Sequence, residues 1–177
     1  MDGKDVMIDL ETLGQRPGCV ILSIGAVAFD TDGIGDSLYA VVNTGSCLDA
    51  GLTKDPETVA WWDRQNDQAK EVLKLAETSG STLADCLGTL TEFLSRFDLD
   101  QVRVWGNGAD FDNAILGACY HAVGLKTPWK FYNNRCYRTL KSLRPTVKME
   151  RQGVYHNALD DAISQAKHAI KLMELIK

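Results

Sequence analysis

Long apolar runs are the first thing this 177-residue chain lacks: none approaches the ~20 residues that a membrane-spanning helix needs. The first residues do not resemble a secretory signal either. Met1 to Asp5 carry two acids and lead straight into a strand-like run, so the default expectation is a cytoplasmic protein with no membrane contact. Cysteine is sparse and poorly spaced for metal or disulfide chemistry. The five cysteines, at 19, 47, 86, 119 and 136, are odd in number and never close neighbours. That argues against a zinc site or a disulfide framework and for reduced thiols. Repeats, low-complexity tracts and linkers are absent, and the length suits one domain, 1–177, with a sizeable core.

Positive charge is also short overall. The net charge of −5 has the wrong sign for a chain that handles a polyanion, but its distribution removes that objection. Residues 126–151 hold eight of the 19 basic residues (Lys126, Lys130, Arg135, Arg138, Lys141, Arg144, Lys148 and Arg151) and one acid, Glu150. This stretch carries +7 and the remainder −12. Trp129, Phe131, Tyr132 and Tyr137 are interleaved with the charge. Such a segment suits a phosphate backbone with stacked bases. The same composition also describes a solvated face above core aromatics.

Hydrophobic patterning predicts a buried strand at Val6 to Leu10, a long strand from Val20 to Phe29, a turn at Thr31-Asp32-Gly33 and a third strand over 37–42. Short connections make these three an antiparallel meander. Asp55-Pro56 reads as an N-cap followed by proline in the first helical position. A helix with Val59, Trp61 and Trp62 follows, then one through Val72, Leu73 and Leu75 that ends at Ser79-Gly80. Ser81 begins a helix with Leu83, Leu87, Leu90 and Leu94 at helical spacing. A strand over 102–105, helices over 111–123 and 137–143, and a last helix from about Asn157 to Leu175 complete an α/β pattern, a mixed sheet covered by helices.

Within that pattern, acids collect where strands and helices end. Asp9 and Glu11 are two apart, and on a strand they share a face. Two carboxylates there repel and resist desolvation, so they call for a hard cation such as Mg²⁺ or Mn²⁺. Gly106-Asn107-Gly108-Ala109-Asp110-Phe111-Asp112 follows the 102–105 strand, and either Asp110 or Asp112 can cap the next helix. His156 and Asp161 are five apart, about 140° around one continuous helix. They face one site only if His156 precedes the helix and Asn157 caps it. Asp161 lies about 100° and Asp160 about 160° from Ala162 on the apolar stripe. Asp161 is therefore the ligand candidate, and Asp160 reads as a solvent-facing cap in the first turn. His121 and His168 read as ordinary surface or core histidines. Trp61 and Trp62 are adjacent and cannot share one helix face. Core packing is the commoner fate of each, with a loop, a partner chain or a nucleotide as alternatives for the one left over.

The motifs Asp9-Leu10-Glu11-Thr12, Asn107 with Phe111-Asp112, and His156-Asn157-Ala158-Leu159-Asp160-Asp161, in this order, resemble those of the DEDDh exonucleases. That class includes the proofreading subunits of bacterial DNA polymerases and oligoribonuclease. Thr58-Val59-Ala60-Trp61-Trp62 and the 135–139 segment are most similar to a smaller branch, with phage exonucleases and a mycobacterial exoribonuclease-like family. Gly106-Asn107-Gly108 stands where proofreading relatives usually carry His-Asn-Ala. The resemblance selects Asp112 over Asp110. It implies a ribonuclease H-like fold: a five-stranded mixed sheet, its first three strands antiparallel, helices on both sides. It also implies 3′→5′ hydrolysis of single-stranded DNA or RNA from the 3′ end, releasing nucleoside 5′-monophosphates. Asp9, Glu11, Asp112 and Asp161 would hold two divalent cations, Mg²⁺ or Mn²⁺, with His156 as general base. Thr12, Leu13, Asn107, Phe111, Arg135 and Arg138 are the candidate substrate contacts. Relatives and a leftover tryptophan leave room for a homodimer. The competing readings are a non-hydrolytic nucleic-acid-binding module on the same fold and an endonuclease of ribonuclease H type.

Overall fold

The computed structural model describes residues 5–78, 80–108 and 110–176. Its frame is one mixed sheet of β1 (Asp5–Thr12), β2 (Ile21–Asp30), β3 (Gly33–Val41), β4 (Arg103–Gly106) and β5 (Asn134–Cys136), in the order β3-β2-β1-β4-β5. β1 to β3 form the expected antiparallel meander, while β4 and β5 run parallel to β1. This is the ribonuclease H-like arrangement implied by the motifs. The central strand β1 carries the first acidic pair, and its C-terminal end opens beside that of its parallel neighbour β4. In open sheets of this kind, ligands bind at that end.

Among the described residues, seven α-helices accompany the sheet: α1 (Thr44–Asp49), α2 (Pro56–Asp63), α3 (Asp67–Thr78), α4 (Leu83–Leu94), α5 (Asp112–Ala122), α6 (Tyr137–Ser142) and α7 (Ala158–Glu174). Strand alternation sorts β1 onto two cores. Val6, Ile8 and Leu10 face one side, where Val72 of α3, Leu87 and Leu90 of α4 and Leu116 of α5 bury them. Met7 faces the other, with Val27, Phe29, Trp105, Tyr137 and the small-residue stripe Ala162, Ala166 and Ala169 of α7. Small residues let α7 lie close against the sheet, and Asp9 and Glu11 share its face. At the far end of β1, Arg103 Nε and Trp105 Nε1 both donate to Asp5 Oδ1, at 2.6 and 2.7 Å, which ties β4 to β1. Among the described residues, no helix is long and apolar enough to cross a membrane.

Local signals largely set the element ends. Asp55 caps α2 by accepting from the Glu57 N–H at 2.9 Å, with Pro56 in the first turn. α4 begins at Leu83, two residues after the predicted start at Ser81, with Thr82 as its cap. Ser81 is taken by the sheet edge: its N–H donates to Val41 O, and its carbonyl accepts from Asn43 N. The predicted end of α3 at Ser79-Gly80 falls partly on Ser79, outside the described residues. Patterning misses α1 and β5, six and three residues long.

Candidate active site

Asp9 and Glu11 project from β1 toward the N-terminus of α7. Two glycines make the approach possible. Asp9 pairs with Gly25 of β2, and a Cβ on Gly25 would sit 2.2 Å from the carbonyl carbon of Ala158, the first residue of α7. Only a hydrogen there lets the helix start directly over the acidic pair. Gly106 does the same for the second motif: its Cβ would lie 2.8 Å from the Cβ of Asp112. Asp112 is buried at the start of α5. Its Oδ1 accepts from the Leu10 N–H (3.2 Å) and its Oδ2 from the Asn107 N–H (2.7 Å). Asp112 thus hangs on the backbone of β1 between the two acids, while Asp110 makes no contact with this cluster among the described ones.

The third motif enters as its spacing predicts. Asn157 caps α7, with its Oδ1 accepting from Leu159 and Asp160 N–H at 3.1 and 3.2 Å. His156 precedes the helix with φ +63°, an unusual backbone for a non-glycine residue. Its ring is held among Tyr155, Trp61 and Trp62, with centroids at 4.0, 5.0 and 5.9 Å. His156 Nδ1 lies 3.9 Å from Glu11 Oε1. Asp161 is buried on the sheet side, where its Oδ1 accepts from Arg151 Nη1. Asp160 departs from expectation. It does not point freely to solvent: its Oδ2 accepts from the Val154 N–H at 2.7 Å, and its carboxyl occupies the space left by Gly153. An acid three residues past the cap reaches backwards, and here it catches the loop that carries His156.

A cleft of about 510 Å³ opens over this cluster, with Asp112 buried and outside its lining. Asp9, Glu11, His156 and Asp161 form its floor, and Thr12, Asn107 and Phe111 of the predicted substrate contacts lie on its walls. The other three predicted contacts do not. Leu13 is a correction: its side chain is 4% exposed in the core, and its N–H and carbonyl are engaged by Val20 O and Asp55 N. Arg135 Nη1 donates to the carbonyls of Tyr132 and Asn134, tied to its own strand rather than turned into the cleft. Arg138 packs against Gly108 at the edge of the second motif. The tryptophan pair splits. Trp62 is 1% exposed and donates to Thr12 O at 2.8 Å, whereas Trp61 is 37% exposed on the cleft wall. The aromatics of the basic segment split as well: Trp129 and Tyr137 are core, while Phe131 and Tyr132 are exposed. Sequence reasoning missed Gly25, Gln165 and the position of Arg151. Gln165 was findable, because it lies one helical turn beyond Asp161 and so shares its face. Its Nε2 donates to Asp9 Oδ1 at 2.7 Å.

Electrostatics describe a site short of cations. Burial, with Asp112, Glu11 and Asp161 nearby, raises Asp9 well above the usual carboxylate range. Burial, then Asp161 and Asp112, pushes Glu11 up to about 8. Burial takes Asp112 to about 7 against the pull of its two backbone donors. Asp161 is raised by burial despite Arg151. His156 is lowered, chiefly by burial, which favours the neutral ring. Carboxylates raised by each other and by desolvation are stabilised when hard cations sit among them. One ligand atom each from Glu11, His156 and Asp161 lies within 4.8 Å of the other two. The oxygen-rich donor set, with the buried Gln165 Oε1 and Asn107 Oδ1 lacking protein partners, fits hydrated divalent ions.

A ribonuclease H-like sheet with clustered carboxylates and a histidine at the C-terminal end of β1 defines a nuclease. Comparison with known proteins narrows the class. Residues 4–173 match the family described as "3'-5' exoribonuclease Rv2179c-like domain", and the chain belongs to that family, within the DEDDh exonucleases. An exodeoxyribonuclease of Enterobacteria phage T4 is 23% identical over 158 residues, covering 76% of this chain and 69% of the phage protein. Two solved structures share the fold. Exonuclease X, in complex with 5′ overhanging duplex DNA, has a TM-score of 0.62 at 17% identity, covering 97% of this chain and 92% of that one. The nuclease domain of 3′hExo, a DEDDh family member bound to rAMP, has a TM-score of 0.63 at 15% identity, covering 96% and 91%.

Proposed function

We propose that this exonuclease removes nucleotides one at a time from the 3′ end of single-stranded nucleic acid, releasing nucleoside 5′-monophosphates. The observation that carries the reading is the meeting of three distant segments in one cleft. Asp9 and Glu11 of β1 line it with His156, just ahead of α7, and Asp161 of its first turn, while Asp112 at the start of α5 is buried against the Leu10 N–H between the two β1 acids. The four carboxylates would hold two divalent ions, Mg²⁺ or Mn²⁺. Such ions lower the pKa of an attacking water and stabilise charge on the leaving 3′ oxygen.

The protein's own groups do the rest. His156 is kept neutral by desolvation and takes the proton from the attacking water as the P–O3′ bond breaks. Its unusual φ and three aromatic neighbours fix the ring beside Glu11. Trp61 and Phe111 offer ring faces to the terminal base, and Thr12 and Asn107 offer polar contacts nearby. The family description points to RNA and the phage relative to DNA, so the substrate test carries both.

That test is digestion of matched 5′-labelled single-stranded RNA and DNA with Mg²⁺, Mn²⁺ or EDTA, alongside a circular single strand. The expected result is a ladder shortening from the 3′ end with metal, silence with EDTA, and an intact circle. A cut circle would replace the proposal with an endonuclease. Tight binding without cleavage would replace it with a binding module.

A further inference from the structure

Arg151 is the basic residue of the 126–151 segment that enters the carboxylate cleft. Its Nη1 donates to Asp161 Oδ1 on the floor, and its Cζ lies 4.2 Å from the centroid of the Tyr155 ring. Its side chain remains 46% exposed, and it sits on the irregular segment between α6 and α7. Arg151 therefore faces two claims on one carboxylate. Asp161 belongs to the group of ligand atoms that would hold a divalent ion. An ion placed there puts like charge against the guanidinium, and one of the two must leave. The guanidinium has somewhere to go: an aromatic face to slide on, open cleft in front, and a planar fork that matches a phosphate.

We propose that Arg151 is a substrate-positioning residue. It holds Asp161 in the empty cleft, then passes to a phosphate oxygen of the bound strand when divalent ions take the carboxylate. This rests on the function proposed above. It accounts for an otherwise counterproductive feature, a fixed cation competing for a metal ligand. In the free protein Arg151 offsets part of the repulsion among the four clustered acids. In the substrate complex the same charge binds the polyanion, so the cost to metal binding is recovered only when a strand is present. Metal and substrate then bind cooperatively, because each removes what hinders the other.

The experiment is calorimetric titration of wild type, Arg151→Gln and Arg151→Lys with Mn²⁺ alone, then with 5′-AMP at saturating Mn²⁺. Arg151→Met, which keeps a stem over Tyr155, stands in as the neutral variant should the glutamine form fold poorly. Loss of the charge is expected to tighten Mn²⁺ binding and to weaken 5′-AMP binding, each by about tenfold. Arg151→Lys keeps the competing charge but not the fork, so its Mn²⁺ affinity should stay near wild type while 5′-AMP binding falls. A merely structural arginine would not move the two affinities in opposite directions. Mn²⁺ affinity unchanged or weakened in the neutral variant, or 5′-AMP affinity unchanged, overturns the inference and leaves the proposed function standing. A wild-type protein that takes up no Mn²⁺ overturns both.

Discussion

Gly25 contributes to the site as much as a carboxylate does, although it presents no functional group. Adding one methyl group there would press against the backbone of Ala158, and neither strand nor helix can yield without moving Asp9 or His156. Gly25→Ala is expected to cost about 1–3 kcal/mol in urea denaturation and to lower activity with it. Gly117→Ala in α5 is the control. Nothing lies within 4 Å of its added Cβ, so it should stabilise the protein by about 0.5–1 kcal/mol through helix propensity. Equal effects at the two positions would remove close approach as the explanation. His156→Ala should leave the fold intact and reduce turnover by about 10²–10⁴-fold. The histidine's pH signature has a definite sign. A base works only when unprotonated, and burial lowers this one from 6.5, so at saturating metal the wild-type profile should show an acid limb below pH 6.5 that the variant lacks. A limb above that value would place the titration elsewhere.

At the scale of elements, the N-terminal end of α7 joins sheet, loop and site. Asn157 caps the helix, Ala158 rests on Gly25, Asp160 grips Val154, and Asp161 and Gln165 face the β1 acids. Asp160→Ala is expected to free the Val154 amide, speeding its hydrogen exchange, and to lower turnover through a looser His156 without loss of α7. Exchange at Val154 equal to wild type would deny the grip. Much of this end is legible in the sequence, because caps and the 3.6-residue period are local properties. They put His156 ahead of the helix and Asp161 on its buried side. The target of Asp160 is not legible, because its partner is set by a turn at Gly153 with φ +74° that no periodicity announces. β5 escapes for a related reason: Asn134-Arg135-Cys136 is too short to show alternation and is a strand only because β4 lies beside it. Leu13 shows where a motif stops being informative, since its place in the core depends on contacts with Val20 and Asp55.

For the molecule as a whole, the acidic cluster couples folding to protons and metal. Glu11 moves from 4.5 to about 8 and Asp112 from 3.8 to about 7, both chiefly through burial, and Asp9 and Asp161 are raised too. Between those ordinary values and the raised ones, the folded metal-free protein keeps protons that the unfolded chain has released. Linkage then requires the cluster's contribution to stability to fall as pH rises through that window. Divalent ions act in the opposite sense: they bind the ionised carboxylates of the folded state, and protons compete with them at low pH. A ligand at about 100 times its Kd stabilises by about 2.7 kcal/mol. The expected outcome is that Mg²⁺ or Mn²⁺ raises Tm more at about pH 8 than at about pH 5.5, relative to EDTA. Asp9→Asn should flatten the metal-free pH dependence and shrink the metal effect, because it removes one repelling charge and one ligand together. The two changes must travel together if one cluster causes both. A variant that loses the metal effect but keeps the full pH dependence would assign the pH dependence to carboxylates outside the cleft, and would separate the fold's sensitivity to protons from its capacity for ions.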